Sequence, residues 1–405
     1  MIFALAWRNI WRQPIRTSLS LVGMAFTSML LVFMLSFQFG SYDTMKSSML
    51  RISDGYGQFQ PVGYKDDPEI SKVIANPDTL LTEVRAVRGI TAATPRTIGF
   101  VLLANGERSF AAAISGIDPV EEAKVSTLSS SVKQGRSLTA DDDAAIVLGD
   151  GLARNLRLSV GDQVTMLGSG MDGSVAADVL TLVGIFKSGV PEIDRQIAQM
   201  PISRFKDSFL MDGAVNVVAL TGEHLSDVEA VGKTLRAIAA DHNAVYLDWT
   251  EIQPALKQAI SFDMSTAMLM YGTLVVVVVF IILNTLYMSV LERTREFGVL
   301  LAIGMKPGQI GRMVWAEMIF LSFLGNGIGI ALGIAITAYF QATGIAFEGL
   351  DEIYAQWGLP SRIYPAMTAF RVLIGPGAII LAIAILGIIP YRRTLHLEPV
   401  TAMAA

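Results

Sequence analysis

Cysteine is absent from all 405 residues, so disulfide staples, thiolate metal centres and cysteine nucleophiles are excluded together. The three histidines, His224, His242 and His396, stand far apart, which argues against a histidine-based metal centre. Charge is scarce too. Asp, Glu, Lys and Arg make up 17% of the chain, the net charge is only -5, and no basic block marks a nucleic-acid surface. Catalytic signatures are missing: no G-x-x-x-x-G-K-[ST], H-E-x-x-H or G-x-S-x-G occurs, and no apolar run carries a carboxylate pair. The expectation is a chain with no catalytic residues, cofactor or metal site of its own. Asp141-Asp142-Asp143 lacks the spacing of a calcium loop and reads as a solvated turn. Gly149-Asp150-Gly151 has no G-K-[ST] after it and reads as the start of a short helix ending near Leu156.

What fills the chain instead is apolar: 52% of residues are hydrophobic and the mean hydropathy is +0.50. Crossing about 30 Å of hydrocarbon takes roughly 20 helical residues. Four charge-free runs qualify, at 17–42, 264–291, 318–347 and 372–391. The first is far longer than the apolar core of a signal peptide and reads as a retained anchor. Arg8, Arg12 and Arg16 precede span one, Arg293, Arg295, Lys306 and Arg312 lie between spans two and three, and Arg392 and Arg393 follow span four. The loop 348–371 carries only two basic residues, Arg362 and Arg371. The positive-inside bias therefore puts residues 1–16, the connection 292–317 and the tail 392–405 in the cytoplasm, and segment 43–263 outside it.

That outer segment has the pattern of a folded α+β domain. Residues 97–104 and 108–114 flank Asn105-Gly106, the pair favoured at the centre of a type I′ hairpin. Asn76-Pro77-Asp78 opens a helix to about Arg88, and 225–240 is a second amphipathic helix between strand-like 215–220 and 245–247. Two βαβ-like halves thus bracket a strand-rich middle, about 126–189, with turns at Val160-Gly161-Asp162 and 168–173, which reads as a small inserted β subdomain. Residues 1–16 form an amphipathic interfacial helix: Trp7 and Trp11 are four apart, as are Arg8 and Arg12, before Pro14 breaks the pattern.

The connection after span two has mechanical logic. Glu292, Arg293, Arg295 and Glu296 sit where the span ends, a helix continues through Val299, Leu300, Ala302 and Ile303, Gly304 stops it, and Lys306-Pro307 restarts the chain. The run from Leu291 to Met305, together with Gln309-Ile310, Glu317 and a glycine-rich third span, resembles the signature of ABC permeases of the macrolide-export, lipoprotein-releasing and FtsX type. Ala6-Trp7-Arg8-Asn9-Ile10-Trp11-Arg12, Gln134-Gly135-Arg136-Ser137-Leu138, Val147-Leu148-Gly149, Val160-Gly161-Asp162, Pro390-Tyr391-Arg392-Arg393 and Glu398-Pro399-Val400 are similar to that family as well.

The resemblance covers nearly the whole chain. It implies four spans in a bacterial inner membrane, a porter-like outer domain with a β insertion, a dimer with a second copy or paralogue, and a cytoplasmic ATPase on a second polypeptide. Glu292, Arg293, Arg295, Glu296, Gly298, Ala302 and Gly304 are then the ATPase-coupling residues. The stripe Gly325, Gly329 and Gly333 packs helix against helix. The implied activity is export or extraction of an amphipathic cargo, and the residues from Gly184 to Gly189 and from Ile193 to Pro201 look closer to the lipoprotein-releasing branch than to FtsX. The short turn near 168–175 leaves recruitment of a periplasmic carrier or adaptor open. Two other readings stand beside this one: an FtsX-like signalling permease that controls a cell-wall hydrolase or sensor, and a plain membrane receptor without an ATPase.

Overall fold

The computed structural model describes residues 2–12, 14–346, 349 and 362–395. The expected loop 348–371 falls outside these up to residue 361 except for Gly349, and so do His396 and the closing Glu398-Pro399-Val400. The chain divides into two compact units. One comprises Met1–Asp43, Ile260–Ala346 and Arg362–Ala405; the other comprises Thr44–Ala259 and Phe347–Ser361.

The first unit is helical. Among the described residues four helices are long and apolar enough to cross a membrane, with candidate spans at Thr17–Ile52, Pro254–Asn284, Pro307–Thr343 and Ala369–Arg392. The first two belong to helices Pro14–Ile52 and Pro254–Glu292, each 39 residues long. At about 1.5 Å per residue that is about 58 Å, close to twice the hydrocarbon thickness. Pro14 opens the first of these helices, where its fixed φ and missing N–H cost nothing, and the amphipathic leading helix is already over at Ile10. Helix Pro307–Thr343 differs from the charge-free run 318–347 at both ends. It starts eleven residues earlier, so Arg312 and Glu317 ride on the span helix, and it stops at Gly344, whose φ of +69° no longer fits a helix. Ile345–Ala346 instead pairs with Arg362–Ile363.

Small residues fix span three against span one. A Cβ on Gly325 would lie 2.7 Å from Met24 Cβ, and one on Gly333 would lie 2.8 Å from Val32 Cβ. At Gly329 it would run into Ala25 O and Ser28 Cβ. Beside the stripe, the fully buried Ser28 donates to Asn326 Oδ1, while Asn326 Nδ2 donates to Ser322 O at 2.8 Å. Every polar atom of the buried amide thus has a partner, as burial in an apolar bundle requires.

The second unit carries ten strands: β1 (Gly57–Pro61), β2 (Ala92–Asn105), β3 (Arg108–Ile117), β4 (Val132–Gly135), β5 (Ala145–Gly149), β6 (Gln163–Ser169), β7 (Val175–Phe186), β8 (Ile197–Pro201), β9 (Val217–Thr221) and β10 (Ala244–Asp248). β10, β1, β9 and β2 lie side by side, all antiparallel, the order of a split βαβ motif of ferredoxin-like type. Helices Pro77–Ala86, Leu225–Ala230 and Gly232–Asp241 pack on one face through Leu80, Val84, Val228 and Leu235 against Phe59, Val218 and Leu220. A single helix over 225–240 was expected; the chain breaks it at Val231.

The middle is not a self-contained insertion. β2 pairs with β3, β3 with β8, β8 with β5, β5 with β7, β7 with β6, and β6 returns to β2, which closes a six-stranded ring. Leu103, Ile114, Ile146, Leu148, Met166 and Leu180 are among the side chains of its core. Three of the six strands therefore come from outside 126–189. The hairpin β2–β3 forms as expected but turns one residue later: Asn105 pairs with Arg108, and Gly106, at φ +59°, takes the first of two loop positions, as a type II′ turn wants.

Asp142 closes the expected turn, its N–H donating to Thr139 O at 3.2 Å, but its carboxylate is not left to solvent. Both its carboxylate oxygens accept from Arg136 at 2.6 Å, and Thr139 donates to it through backbone and hydroxyl. These hydrogen bonds, the one from Arg136 foremost, hold the carboxyl well below the usual range.

Candidate coupling site

Helix Pro254–Glu292 gives way at Arg293, whose φ of -96° and ψ of 10° turn the chain into the short helix Thr294–Ala302. Thr294 Oγ1 donates to Leu291 O at 2.7 Å and so satisfies a carbonyl left open at the break. The short helix ends in a Schellman motif: Gly304 sits at φ +104°, its N–H donates to Leu301 O at 3.0 Å, and the N–H of Met305 donates to Leu300 O at 3.0 Å. Pro307 then occupies the first position of the next helix, and Gln309 Oε1 accepts from the backbone N–H of Lys306 at 3.0 Å. Sequence marks every one of these boundaries.

The side chains divide into two faces. Phe297 and Gly298 are buried. Arg293, only 12% exposed, donates from one nitrogen to both oxygens of Glu317, at 3.2 and 3.3 Å, and its guanidinium stands 5.4 Å from the Phe297 ring centroid. Glu317 is itself only 15% exposed. Glu296 bridges outward from this pair, 3.4 Å from Arg293 Nε and 3.1 Å from Arg12 Nη1, just past the end of the leading helix. That helix packs on span three as well, with Phe3 and Trp7 edge-on to Phe320 at 6.2 and 6.0 Å. An ion-pair chain thus ties three segments together at the start of span three.

The other face carries Arg295, Val299, Ala302 and Ile303, with Val299 47% and Ile303 79% exposed. Of the coupling residues expected from sequence, Glu292, Arg295, Glu296, Ala302 and Gly304 lie on exposed surface. Arg293 and Gly298 do not, because the first is drawn to Glu317 and the second packs inward beside Phe297. Sequence reading missed Arg12 and Glu317 as partners. The signal was available in the second case, since a lone carboxylate inside an apolar run needs a cation. Among the described residues no cluster of three or more His, Asp or Glu forms a metal site.

Residues 17–238 match the family model of the MacB-like periplasmic core domain, and residues 268–399 match that of the FtsX-like permease C-terminal region. The chain belongs to the MacB- and FtsX-type family of ABC transporter permeases. It is 25% identical over 405 residues to the lipoprotein-releasing system transmembrane protein LolC of Neisseria meningitidis, covering 96% of this chain and 93% of that one. It is 22% identical to the uncharacterized ABC transporter permease YknZ of Bacillus subtilis, over 79% of this chain and 77% of the other. Identity to the macrolide export ATP-binding/permease protein MacB of Hyphomonas neptunium is also 25%, over 99% of the permease, which spans 60% of that longer protein.

Proposed function

We propose that the permease couples ATP hydrolysis by a cytoplasmic ATPase subunit to rearrangement of its Thr44–Ala259 domain on the outer side of the inner membrane, and thereby extracts or exports an amphipathic cargo, as in lipoprotein release. The observation that carries this reading is the two-faced helix Thr294–Ala302. Its inner face is anchored by Arg293, Glu296, Phe297 and Glu317, and its outer face presents the apolar pair Val299 and Ile303. A helix held by ion pairs on one side and bare on the other suits a partner that pushes on it. The length of helices Pro14–Ile52 and Pro254–Glu292 supports transmission along rigid rods rather than a pore. In this reading both termini are cytoplasmic and the working form is a dimer.

Full-length similarity to a LolC protein favours lipoprotein cargo. The FtsX-type match over 268–399 supports the same coupling segment with a signalling output to a cell-wall hydrolase or sensor. The turn between β6 and β7, where Ser169 pairs with Val175, is too tight to present a long recruiting hairpin. Val299→Glu with Ile303→Glu places two carboxylates on the bare face, and should lower affinity for the ATPase at least tenfold while leaving membrane insertion unchanged. Equal ATPase binding and stimulation by this variant would reject the docking surface.

A further inference from the structure

Residues 36–43 of span one collect partners from three other stretches of the membrane unit. Gln38 Nε2 and Tyr42 OH both donate to Asp263 Oδ2 at 2.6 Å, and Gln38 Nε2 also lies 2.8 Å from Tyr42 OH. Asp263 belongs to the span-two helix. Arg371, in the first turn of span four, donates to Asp43 Oδ2 at 3.0 Å and stands 4.8 Å over the Phe39 ring. Between spans three and four, Ala366 N donates to Ser36 O at 2.9 Å, and a Cβ on Gly40 would run into the backbone of Tyr364, Pro365 and Ala366.

Each contact fixes register as well as distance. Sliding span two by one helical turn displaces Asp263 by about 5.4 Å, which takes its carboxylate away from both donors at once. Tyr42 is buried, so its hydroxyl has little water to turn to. Gly40 matters because the chain leading into span four crosses span one where any side chain would stand in the way.

We propose that this cluster is a locked joint, which holds spans one, two and four in fixed register while the coupling site moves, with Asp263 as the residue that positions span two. The proposal rests on the coupling reading above for what moves, but not for the joint itself. It is tested by distance measurement between spin labels, which the absence of native cysteine makes clean. Met34→Cys and Met268→Cys place labels at exposed positions below the cluster on spans one and two. In the complex with its ATPase, one narrow distance should persist from the nucleotide-free to the vanadate-trapped state. Asp263→Ala should at least double the width of that distribution in both states. Asp263→Asn, which keeps an acceptor oxygen, should restore it. Where Asp263→Ala fails to insert, Tyr42→Phe with Gln38→Leu carries the same expectation. A shift on trapping in the unaltered cluster, or a narrow distribution in Asp263→Ala, overturns the joint. A second label pair, Met288→Cys with Lys306→Cys, brackets the coupling helix and leaves Val299 and Ile303 intact. Its failure to move on trapping would sink the coupling reading, while the Asp263→Ala comparison still decides the joint.

Discussion

Arg293 and Glu317 provide the sharpest test of how the coupling helix is held. Removing one member of a buried ion pair costs about 3–5 kcal/mol, mostly because the other charge is stranded, whereas replacing both by apolar groups is close to neutral. Here the guanidinium keeps two further partners, Glu296 at 3.4 Å and the Phe297 ring at 5.4 Å, so Glu317→Met should cost less, about 2–3 kcal/mol. Arg293→Met strands Glu317, for which no second cation is within ion-pair distance among the described residues, and should cost at least as much. The double variant Arg293→Met with Glu317→Met should return to within about 1 kcal/mol of the parent. Thermal unfolding of the purified permease in one detergent, read on all four proteins, gives the cycle. Coupling should behave differently. With the ion pair gone the short helix loses its link to Glu317 of span three and keeps only the Phe297 packing and the Glu296 pair, so stimulated ATPase activity in nanodiscs should stay low in the double variant even as stability recovers. If the two single losses simply add, the pair does not interact. If the stable double variant stimulates the ATPase fully, the anchor does not position the helix.

Two further outcomes follow from the packing and the charges. Gly329→Leu drives a side chain into Ala25 and Ser28 of span one and should cost at least about 1–3 kcal/mol, seen as a lower melting temperature in detergent; an unchanged melting temperature would remove the stripe from the account of span packing. Asp142 titrates below its unfolded value because Arg136 and Thr139 hydrogen-bond its charged form. Its contribution to stability is therefore complete above about pH 4 and disappears as pH falls through the depressed folded value. Asp142→Asn should lower stability at neutral pH and flatten the acid limb below about pH 4, and an unaltered limb in urea titrations would show that the pair is silent.

The spans, the hairpin and the breaks around the coupling helix were legible because each is written locally: charge-free runs, Asn105-Gly106, Gly304 before Lys306-Pro307. Most of what escaped was decided across long sequence distances. Nothing near Gly298 says that its side of the helix packs inward, since that depends on which face Arg293 brings to Glu317, twenty-four residues on. The six-stranded ring was hidden for the same reason. β2 and β3 read as an ordinary hairpin, and only the pairing of β6 back onto β2 makes them staves of a barrel. The Asp142 carboxylate read as solvent-exposed because its Arg136 partner comes from the preceding strand end, with nothing in the spacing to announce it.

Strand β2 gives one edge to β3 and divides the other, with Ala92–Arg96 bonded to β9 and Val101–Ala104 to β6. The open sheet and the barrel consequently have no separate way to come apart, since detaching either strips hydrogen bonds from a strand the other needs. Two apolar cores then melt as one cooperative unit. Backbone amides along β2 exchange with solvent only when the whole domain opens, and a displacement applied to the sheet arrives in the barrel through covalent chain rather than across a slipping interface.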